Sequence, residues 1–128
     1  MISHVSVGVE DVARAVSFYD AVLAPLGYRQ ILFQESGAAW GTEFPTFWVA
    51  SPDDGNRPNP GNGVHICFNA ANKGAVDAFY ASALENGGID DGEPGLRPKY
   101  THNYYAAFVR DPDGNKIEAV CFLRENRP

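Results

Sequence analysis

The sequence predicts an α+β fold built from two tandem βαβββ modules. Three observations lead to this prediction: the length of the chain, an internal repeat, and the order of strand-like and helix-like patterns in each copy of the repeat. With 128 residues the chain is long enough for one hydrophobic core but short for two independent ones. We therefore expect a single domain over residues 1–128, with module one at about 1–50, a linker at about 51–63 and module two at about 64–123.

The repeat relates residues 4–27 to residues 65–88, which align without a gap at one offset of 61 positions. Matching residues occur at seven places in this alignment, which are His4/His65, Val5/Ile66, Val7/Phe68, Phe18/Phe79, Tyr19/Tyr80, Leu23/Leu84 and Gly27/Gly88. Self-similarity at a fixed offset is the signature of a structural unit that is used more than once. Each copy is therefore expected to have the same local structure.

Each copy opens with a strand and continues into a helix. Apolar residues alternate along both strands, as in a half-buried strand; they are Val5, Val7 and Val9 in module one and Val64, Ile66 and Phe68 in module two. Apolar residues at helical spacing follow, and Asp11 and Asn72 are suited to be N-caps because their side chains accept hydrogen bonds from the first turn. Gly27 and the pair 87–88 end the two helices, since glycine adopts the left-handed conformation easily.

Three further strands are predicted after each helix. They lie at about 28–35, 38–43 and 46–50 in module one and at about 89–93, 104–110 and 115–122 in module two. The segment 51–63 is dense in Pro, Gly and Asn, which is typical of a linker. The segment 91–103 is predicted to be a loop, either a plain connection or the wall of a pocket.

Composition and charge exclude several classes of function. The net charge is −6 and no run of Lys and Arg offers a surface for a phosphate backbone, so we expect no nucleic acid partner. No apolar run approaches the roughly 20 residues of a membrane-spanning helix, and the N-terminus lacks the pattern of a signal peptide. We therefore expect no membrane partner and a cytoplasmic protein. Cys67 and Cys121 lie far apart, which favours reduced thiols.

Three side chains capable of binding a metal lie opposite the apolar positions of their strands: His4, His65 and Glu118. In a sheet covered by helices on one side, such residues project from the uncovered face. If the two modules curl toward each other, the three side chains meet in one cavity. Two imidazoles and a carboxylate are a ligand set that divalent transition metals accept, with positions left open for substrate or water. Each residue alone is more often structural or solvated, but the repeat places His4 and His65 at equivalent points.

These residues resemble the vicinal oxygen chelate superfamily, which includes glyoxalase I, fosfomycin-resistance proteins, bleomycin-resistance proteins and extradiol dioxygenases. The resemblance covers essentially the whole chain and is carried by residues 4–28, by "GVHICF" and by "AAFVRDPDGNKIEAV". It implies a cupped, barrel-like mixed sheet with the helices outside, around a divalent metal ion such as Zn, Ni, Mn or Fe. The resemblance places His4, His65 and Glu118 at the ligand positions, and it also implies a small-molecule substrate and a homodimer.

The chain departs from the pattern of several members of this superfamily. Glyoxalase I has a fourth, carboxylate ligand where module symmetry places Trp48, and an indole N–H only donates hydrogen bonds. Extradiol dioxygenases resemble one another in a tyrosine ten residues before the carboxylate, where this chain has Phe108, opposite Glu118 in a hairpin. Fosfomycin-resistance enzymes bring basic and hydroxyl residues for the phosphonate, whereas the cup-facing candidates here look more apolar.

Other residues predict the character of the substrate pocket. Trp48, Phe108 and Tyr104 favour a flat or hydrophobic ligand, and Cys67 shares the face of His65, either as a reactive thiol or as a small packing residue. His102, in the loop before the penultimate strand, is the candidate acid or base, the alternative being an exposed loop residue.

Three functions are compatible with these expectations. The first is a metal-dependent enzyme that binds two neighbouring oxygens of a small substrate and stabilises an enolate or a similar oxyanion; lyase or isomerase chemistry is favoured over that of an extradiol dioxygenase. The second is a metal-free protein that sequesters a planar hydrophobic molecule, as bleomycin-resistance proteins do. The third is a degenerate family member with a closed cup and a structural role.

Overall fold

The structure of the protein, a computed structural model, describes residues 1–124, so the end of the predicted domain, residues 125–128, lies outside the described residues. Module one consists of β1 (Val5–Gly8), α1 (Val12–Leu23), a short 3-10 helix (Ala24–Leu26), β2 (Arg29–Gln34), β3 (Gly37–Gly41) and β4 (Phe47–Ala50). Module two consists of β5 (His65–Asn69), α2 (Lys73–Glu85), β6 (Ile89–Leu96), β7 (Tyr104–Arg110) and β8 (Lys116–Phe122). The predicted βαβββ order is therefore present twice.

Each module forms its own four-stranded mixed sheet, with strand orders β1-β4-β3-β2 and β5-β8-β7-β6. The first strand of each module pairs in parallel with the last, and the other pairs are antiparallel. Within residues 1–124, β1 and β5 are edge strands and the sheets are not closed into a barrel. The barrel-like sheet implied by the resemblance is thus corrected to two separate sheets, because β1 and β5 each pair on one side only.

The two helices begin at the predicted N-caps, whereas α1 ends at Leu23 and Gly27 ends the 3-10 helix that follows it. The Asp11 side chain accepts a hydrogen bond from the backbone N–H of Arg14 at 3.2 Å, and Asn72 accepts one from Ala75 at 2.9 Å. These bonds satisfy donors that a helix leaves free in its first turn. Gly27 has a φ of 86°, the left-handed conformation in which glycine is favoured. No helix within the described part of the chain is long and apolar enough to span a bilayer.

The main hydrophobic core contains residues of both modules. Phe47 of β4 and Phe68 of β5 meet edge to face with ring centroids 5.1 Å apart, and α1 contacts α2. Two residues predicted on the core side lie outside it: Val64 is 54% exposed and Leu84 is 43% exposed. Val64 precedes β5 and is not held in its ladder, while Leu84 lies on the solvent side of the last turn of α2.

Strand β6 is longer than predicted, because it continues to Leu96 through a segment expected to be a loop. Pro94 is tolerated because β6 is an edge strand, where a missing N–H need not break a ladder. Two shifts in register, on either side of Gly92, bend the strand. The loop between β6 and β7 is therefore confined to residues 97–103.

The turn between β7 and β8 joins module two to module one. Asp111 is 1% exposed, and its Oδ2 accepts hydrogen bonds from the Tyr19 hydroxyl at 2.6 Å and from Asn115 Nδ2 at 3.0 Å. Asn115 Nδ2 also donates to the carbonyl of Gly8 at 3.0 Å. Hydrogen bonds to a charged group contribute about 1.5–3 kcal/mol each. The start of β8, which leads to Glu118, is thereby fixed against the first helix and strand.

Candidate functional site

The site is built on one face of the module-two sheet. In the strand register Cys67 pairs with Glu118 across β5 and β8, and Phe108 pairs with Glu118 across β7 and β8. Side chains alternate along a strand, so His65 and Tyr104 share this face with them. We call these five residues the module-two cup. Phe108 and Tyr104 belong to a small apolar cluster separate from the main core, as expected for the side of the sheet away from the helices.

Glu118 lies at the centre of the module-two cup. Its side chain is 2% exposed, and each carboxylate oxygen has a partner. Oε1 lies 3.1 Å from His65 Nε2, and Oε2 accepts a hydrogen bond from the Tyr104 hydroxyl at 2.5 Å. Buried carboxylates are retained where such partners compensate for lost water. The His65 ring is 44% exposed, so this cluster opens to solvent on the histidine side.

Desolvation and the carboxylate of Glu118 together raise the pKa of two neighbouring side chains, Tyr104 and Cys67. Desolvation, followed by the hydrogen bond to Glu118, raises the pKa of Tyr104 above its ordinary value. Desolvation and the negative charge of Glu118 raise the pKa of Cys67 to about 12. At neutral pH Tyr104 is therefore a hydrogen-bond donor and Cys67 is a thiol. A thiol is a poor nucleophile, because the thiolate is the reactive form.

Phe108 is covered by basic side chains. Its ring is 9% exposed, with the Arg97 guanidinium 5.5 Å and the Lys116 ammonium 5.2 Å from the ring centroid. Arg97 is held by hydrogen bonds to the carbonyls of Glu93 at 2.7 Å and Gly95 at 2.9 Å. The cup is thus more basic than the sequence suggested. Period-two alternation would have placed Lys116 there, because it precedes Glu118 by two positions.

The equivalent face of the module-one sheet carries a different set of side chains. Ser6 pairs with Trp48 across β1 and β4, which is the register of Cys67 and Glu118 in module two. Trp48 therefore occupies the position equivalent to Glu118, as module symmetry predicted. The ring centroids of His4 and Trp48 are 6.4 Å apart, and Trp48 is half-buried. Module one offers one imidazole where module two offers an imidazole and a carboxylate.

The three predicted metal ligands are only partly brought together. His65 and Glu118 face each other, whereas His4 lies beside Trp48, with its Nδ1 3.0 Å from Ser3 Oγ. Among residues 1–124 of a single chain there is no group of three His, Cys, Asp or Glu side chains arranged to hold a metal ion. His102, the predicted acid or base, is exposed in the loop 97–103.

His65 and Glu118 are chemically suited to bind a divalent cation, and they supply two of its ligands. An imidazole nitrogen and a carboxylate oxygen are both common ligands of such ions. The Tyr104 hydroxyl on the second oxygen of Glu118 fixes the carboxylate, as hydrogen-bond partners behind a metal ligand commonly do. A complete site needs a third protein ligand beyond this pair.

Two cavities adjoin the module-two cup. One, of about 570 Å³, lies between the modules and is lined mainly by apolar side chains, with Cys67 on its wall. The other, of about 490 Å³, lies between the linker and the starts of β5 and β8, and His65, Arg110 and Lys116 line it. Cys121 is 6% exposed and belongs to the main core, as predicted.

Comparison with solved structures supports this architecture. The chain is 39% identical to a glyoxalase/bleomycin resistance protein from Albidiferax ferrireducens T118, with a TM-score of 0.88 over 94% of this chain and 98% of that chain. It is 20% identical, with a TM-score of 0.74 over 94% and 98% of the two chains, to a glyoxalase/bleomycin resistance protein/dioxygenase family enzyme from Burkholderia phytofirmans PsJN. A lactoylglutathione lyase from Agrobacterium tumefaciens shares the fold at 20% identity and a TM-score of 0.64, over 94% and 92%.

The family assignment rests on the sequence as well. No curated protein matches the chain. The family model of the glyoxalase/bleomycin resistance protein/dioxygenase superfamily matches residues 1–119, which include module one, module two up to the middle of β8, and the predicted ligands His4, His65 and Glu118. The chain therefore belongs to the glyoxalase/bleomycin resistance protein/dioxygenase superfamily.

Proposed function

We propose that the chain is a divalent-metal-dependent enzyme that acts on a small substrate through two neighbouring oxygens, with lyase or isomerase chemistry. Members of its superfamily often use divalent metals and commonly act on small molecules. The observation that carries the proposal is the contact between His65 Nε2 and Glu118 Oε1 at 3.1 Å, with the carboxylate 2% exposed. His65 also lines a cavity large enough for a small molecule, so its partner Glu118 lies one side chain away from that cavity.

The side chains of the module-two cup have different roles in the proposed function. His65 and Glu118 would hold the metal ion, which supplies a Lewis acid for a substrate oxygen. Tyr104 donates to Glu118 and keeps its carboxylate oriented. Cys67 remains a neutral thiol beside Glu118 and adds no charge to the site. Phe108 is buried beside Glu118 and supports the basic side chains of Arg97 and Lys116, which lie over its ring.

His4 is the proposed third ligand, supplied by a second copy of the chain. Within one chain His4 lies on the module-one sheet beside Trp48 and not in the cluster with Glu118. Members of the superfamily often dimerise, and a symmetric pair of chains would form two equivalent sites. Each site would join His4 of one copy to His65 and Glu118 of the other.

Metal content of untagged purified protein tests the proposal. We expect about one divalent ion per chain in the wild type, measured by plasma emission, and loss of most of it in Glu118→Gln, because the neutral amide oxygen of Gln is a weaker ligand than a charged carboxylate. Glu35→Gln is the matched control, since Glu35 is exposed in the turn between β2 and β3. Wild type that takes up no divalent ion, or Glu118→Gln that retains all of it, would contradict the proposal.

The same measurement of metal content tests whether the third ligand, His4, comes from a second copy of the chain. His4→Ala and His65→Ala are each expected to bind little metal alone. A mixture of the two variants contains pairs of chains in which one site is intact, so metal binding returns to about half of the wild-type amount in each mixed pair. If the mixture binds no more than its components, His4 does not come from a second copy.

A second function, sequestration of a ligand without metal, is favoured by one observation. Both oxygens of Glu118 already have protein partners, so the carboxylate is satisfied without a cation. In metal-free protein, quenching of Trp48 fluorescence by a planar hydrophobic ligand would support this function. Trp48→Phe is the control, because the other tryptophan, Trp40, is 1% exposed and bonded to Asp20.

A further inference from the structure

The cavity of about 490 Å³ beside His65 is lined by positively charged side chains. The proposed metal ligands His65 and Glu118 do not account for their presence. Its wall consists of the linker segment 59–64 on one side and the ends of β5, β7 and β8 on the other. Two cationic side chains line it, Arg110 and Lys116. The volume lies within the range of small-molecule pockets, roughly 300–1,000 Å³.

One carboxylate serves both cations. Asp91 Oδ2 lies 3.0 Å from Arg110 Nε and 3.5 Å from Lys116 Nζ. Glu118 is turned toward His65 and Tyr104 and is 2% exposed. Among Arg110, Lys116 and Asp91, two positive charges and one negative charge leave one positive charge, before any contribution from His65 and Glu118, which face each other. In a protein with a net charge of −6, this is a local reversal of sign.

The two cations are held in place rather than free in solvent. Arg110 Nη1 donates to the carbonyl of Gly114 at 3.1 Å, in addition to the bond from Nε to Asp91. Lys116 lies over the Phe108 ring, 5.2 Å from its centroid, and is 32% exposed. Cations fixed by protein contacts lose less conformational freedom when they bind an anion. The arrangement is preorganised for a negatively charged group.

We propose that this cavity binds an acidic group of the substrate, a carboxylate or a phosphate, next to the reacting oxygens at His65 and Glu118. The inference rests on the proposed function and adds the substrate class to it. It differs from the flat or hydrophobic ligand that Trp48, Phe108 and Tyr104 favour in the sequence, because Arg97 and Lys116 lie over the Phe108 ring. The substrate is thus a small acid with two neighbouring oxygens.

The test is a titration of metal-free ¹⁵N-labelled protein with inorganic phosphate and, separately, with malonate at constant ionic strength. Saturable shifts are expected for the amides of His65, Lys116 and the linker with at least one of the two anions, and the anion that binds more tightly identifies phosphate or carboxylate as the group. Lys116→Gln is expected to weaken binding about tenfold, the size of one charge-assisted hydrogen bond. Lys116→Arg keeps the charge and is expected to retain binding.

Lys73→Gln is the matched control, because Lys73 also lies over an aromatic ring, 4.9 Å from the centroid of Tyr105, but on α2 and away from the cavity. Binding to Lys73→Gln should equal that of the wild type. Failure of both anions to bind, or equal binding to wild type and Lys116→Gln, would overturn the inference. Binding that appears only after metal is added would overturn it too, because the metal would then hold the anion.

These experiments distinguish a failure of the metal-dependent function from a failure of the acidic-substrate inference. Metal uptake by Lys116→Gln is expected to match that of the wild type, since Lys116 is not a proposed ligand. Metal bound without anion binding would remove only the acidic-substrate inference. Anion binding without metal uptake would remove the metal-dependent function and leave the cavity as a site for small acids.

Discussion

Glu118 contributes to the chemical state of the side chains around it. Its buried carboxylate accepts from Tyr104, faces His65 and lies beside Cys67 in the strand register. Its charge is one of the causes that raise the pKa of Cys67 to about 12, after desolvation. The rate at which Cys67 reacts with an alkylating agent therefore depends on the charge of Glu118.

We expect Glu118→Gln to accelerate alkylation of Cys67. Removing the negative charge makes the thiolate easier to form, and each unit of pKa is tenfold in thiolate fraction below the pKa. The rate with iodoacetamide at pH 8 should rise several-fold, measured by mass spectrometry in a Cys121→Ala background. It should stay below that of a free thiol, because desolvation, the larger cause, remains.

The control for this experiment is Glu35→Gln, which changes the same charge on an exposed turn. Its alkylation rate should equal that of the parent. Equal rates for Glu118→Gln and the parent would show that Glu118 does not carry a charge next to Cys67 at pH 8.

The turn between β7 and β8 contains a carboxyl group, Asp113, that links the stability of the protein to pH. Asp113 has a side chain that is 4% exposed, and its Oδ1 accepts from the backbone N–H of Glu10 at 2.9 Å and from Arg14 at 3.3 Å. Its Oδ2 is buried and has no hydrogen-bond partner within residues 1–124. Desolvation raises the pKa of Asp113 above its ordinary value of 3.8.

A raised pKa in the folded state means that the folded protein holds this proton more tightly than the unfolded chain. The free energy of unfolding therefore falls as the pH rises from 3.8 through the raised pKa, and the loss is complete above it. Asp113→Asn cannot ionise and should lose this dependence. Its stability relative to wild type should improve as the pH rises from the ordinary value of 3.8 through the raised pKa of Asp113.

Urea unfolding of wild type and Asp113→Asn at a series of pH values measures this difference. Asn keeps an oxygen that can accept from Glu10, and the exposed Arg14 contributes at most about 1 kcal/mol through its ion pair. Both proteins contain the same other carboxyl groups, so the effects of these groups cancel when the two free energies of unfolding are subtracted. A difference that does not change with pH would contradict a raised pKa for Asp113.

At the scale of elements the sequence specified the local structure well. Asp11 and Asn72 mark the helix starts because an N-cap is decided by one side chain and the turn beside it. The positions of Trp48 and Phe108 opposite their partners follow from the repeat and from the hairpin turn. Pro94 and Gly95 suggested a loop, and an edge strand was found, because tolerance of proline depends on which strand lies at the edge of the sheet.

The candidate site was only partly predictable for a related reason. The pairing of His65 with Glu118 follows from one sheet and its alternation, so sequence suffices. The location of His4 depends on how two sheets are placed, which no local pattern encodes. The basic cover of Phe108 depends on Arg97, which reaches the cup because β6 bends at Gly92.

At the scale of the whole molecule, the repeat has produced two sheets with unequal faces. Module two carries a histidine, a buried carboxylate and a basic cavity, while module one carries His4 beside Trp48. Neither face alone holds three metal ligands in the described part of the chain. We propose that His4, His65 and Glu118 become one metal centre when two copies of the chain meet.

The most direct test observes the histidine rings during a zinc titration. The chain has three histidines, so long-range ¹H–¹⁵N spectra of the rings are simple to assign. His65 and His4 should change together to metal-bound shifts and reach saturation at about one ion per chain, while His102 stays unchanged, and Glu118→Gln should abolish the change. A His65 ring that keeps its metal-free shifts at saturating zinc would contradict the claim.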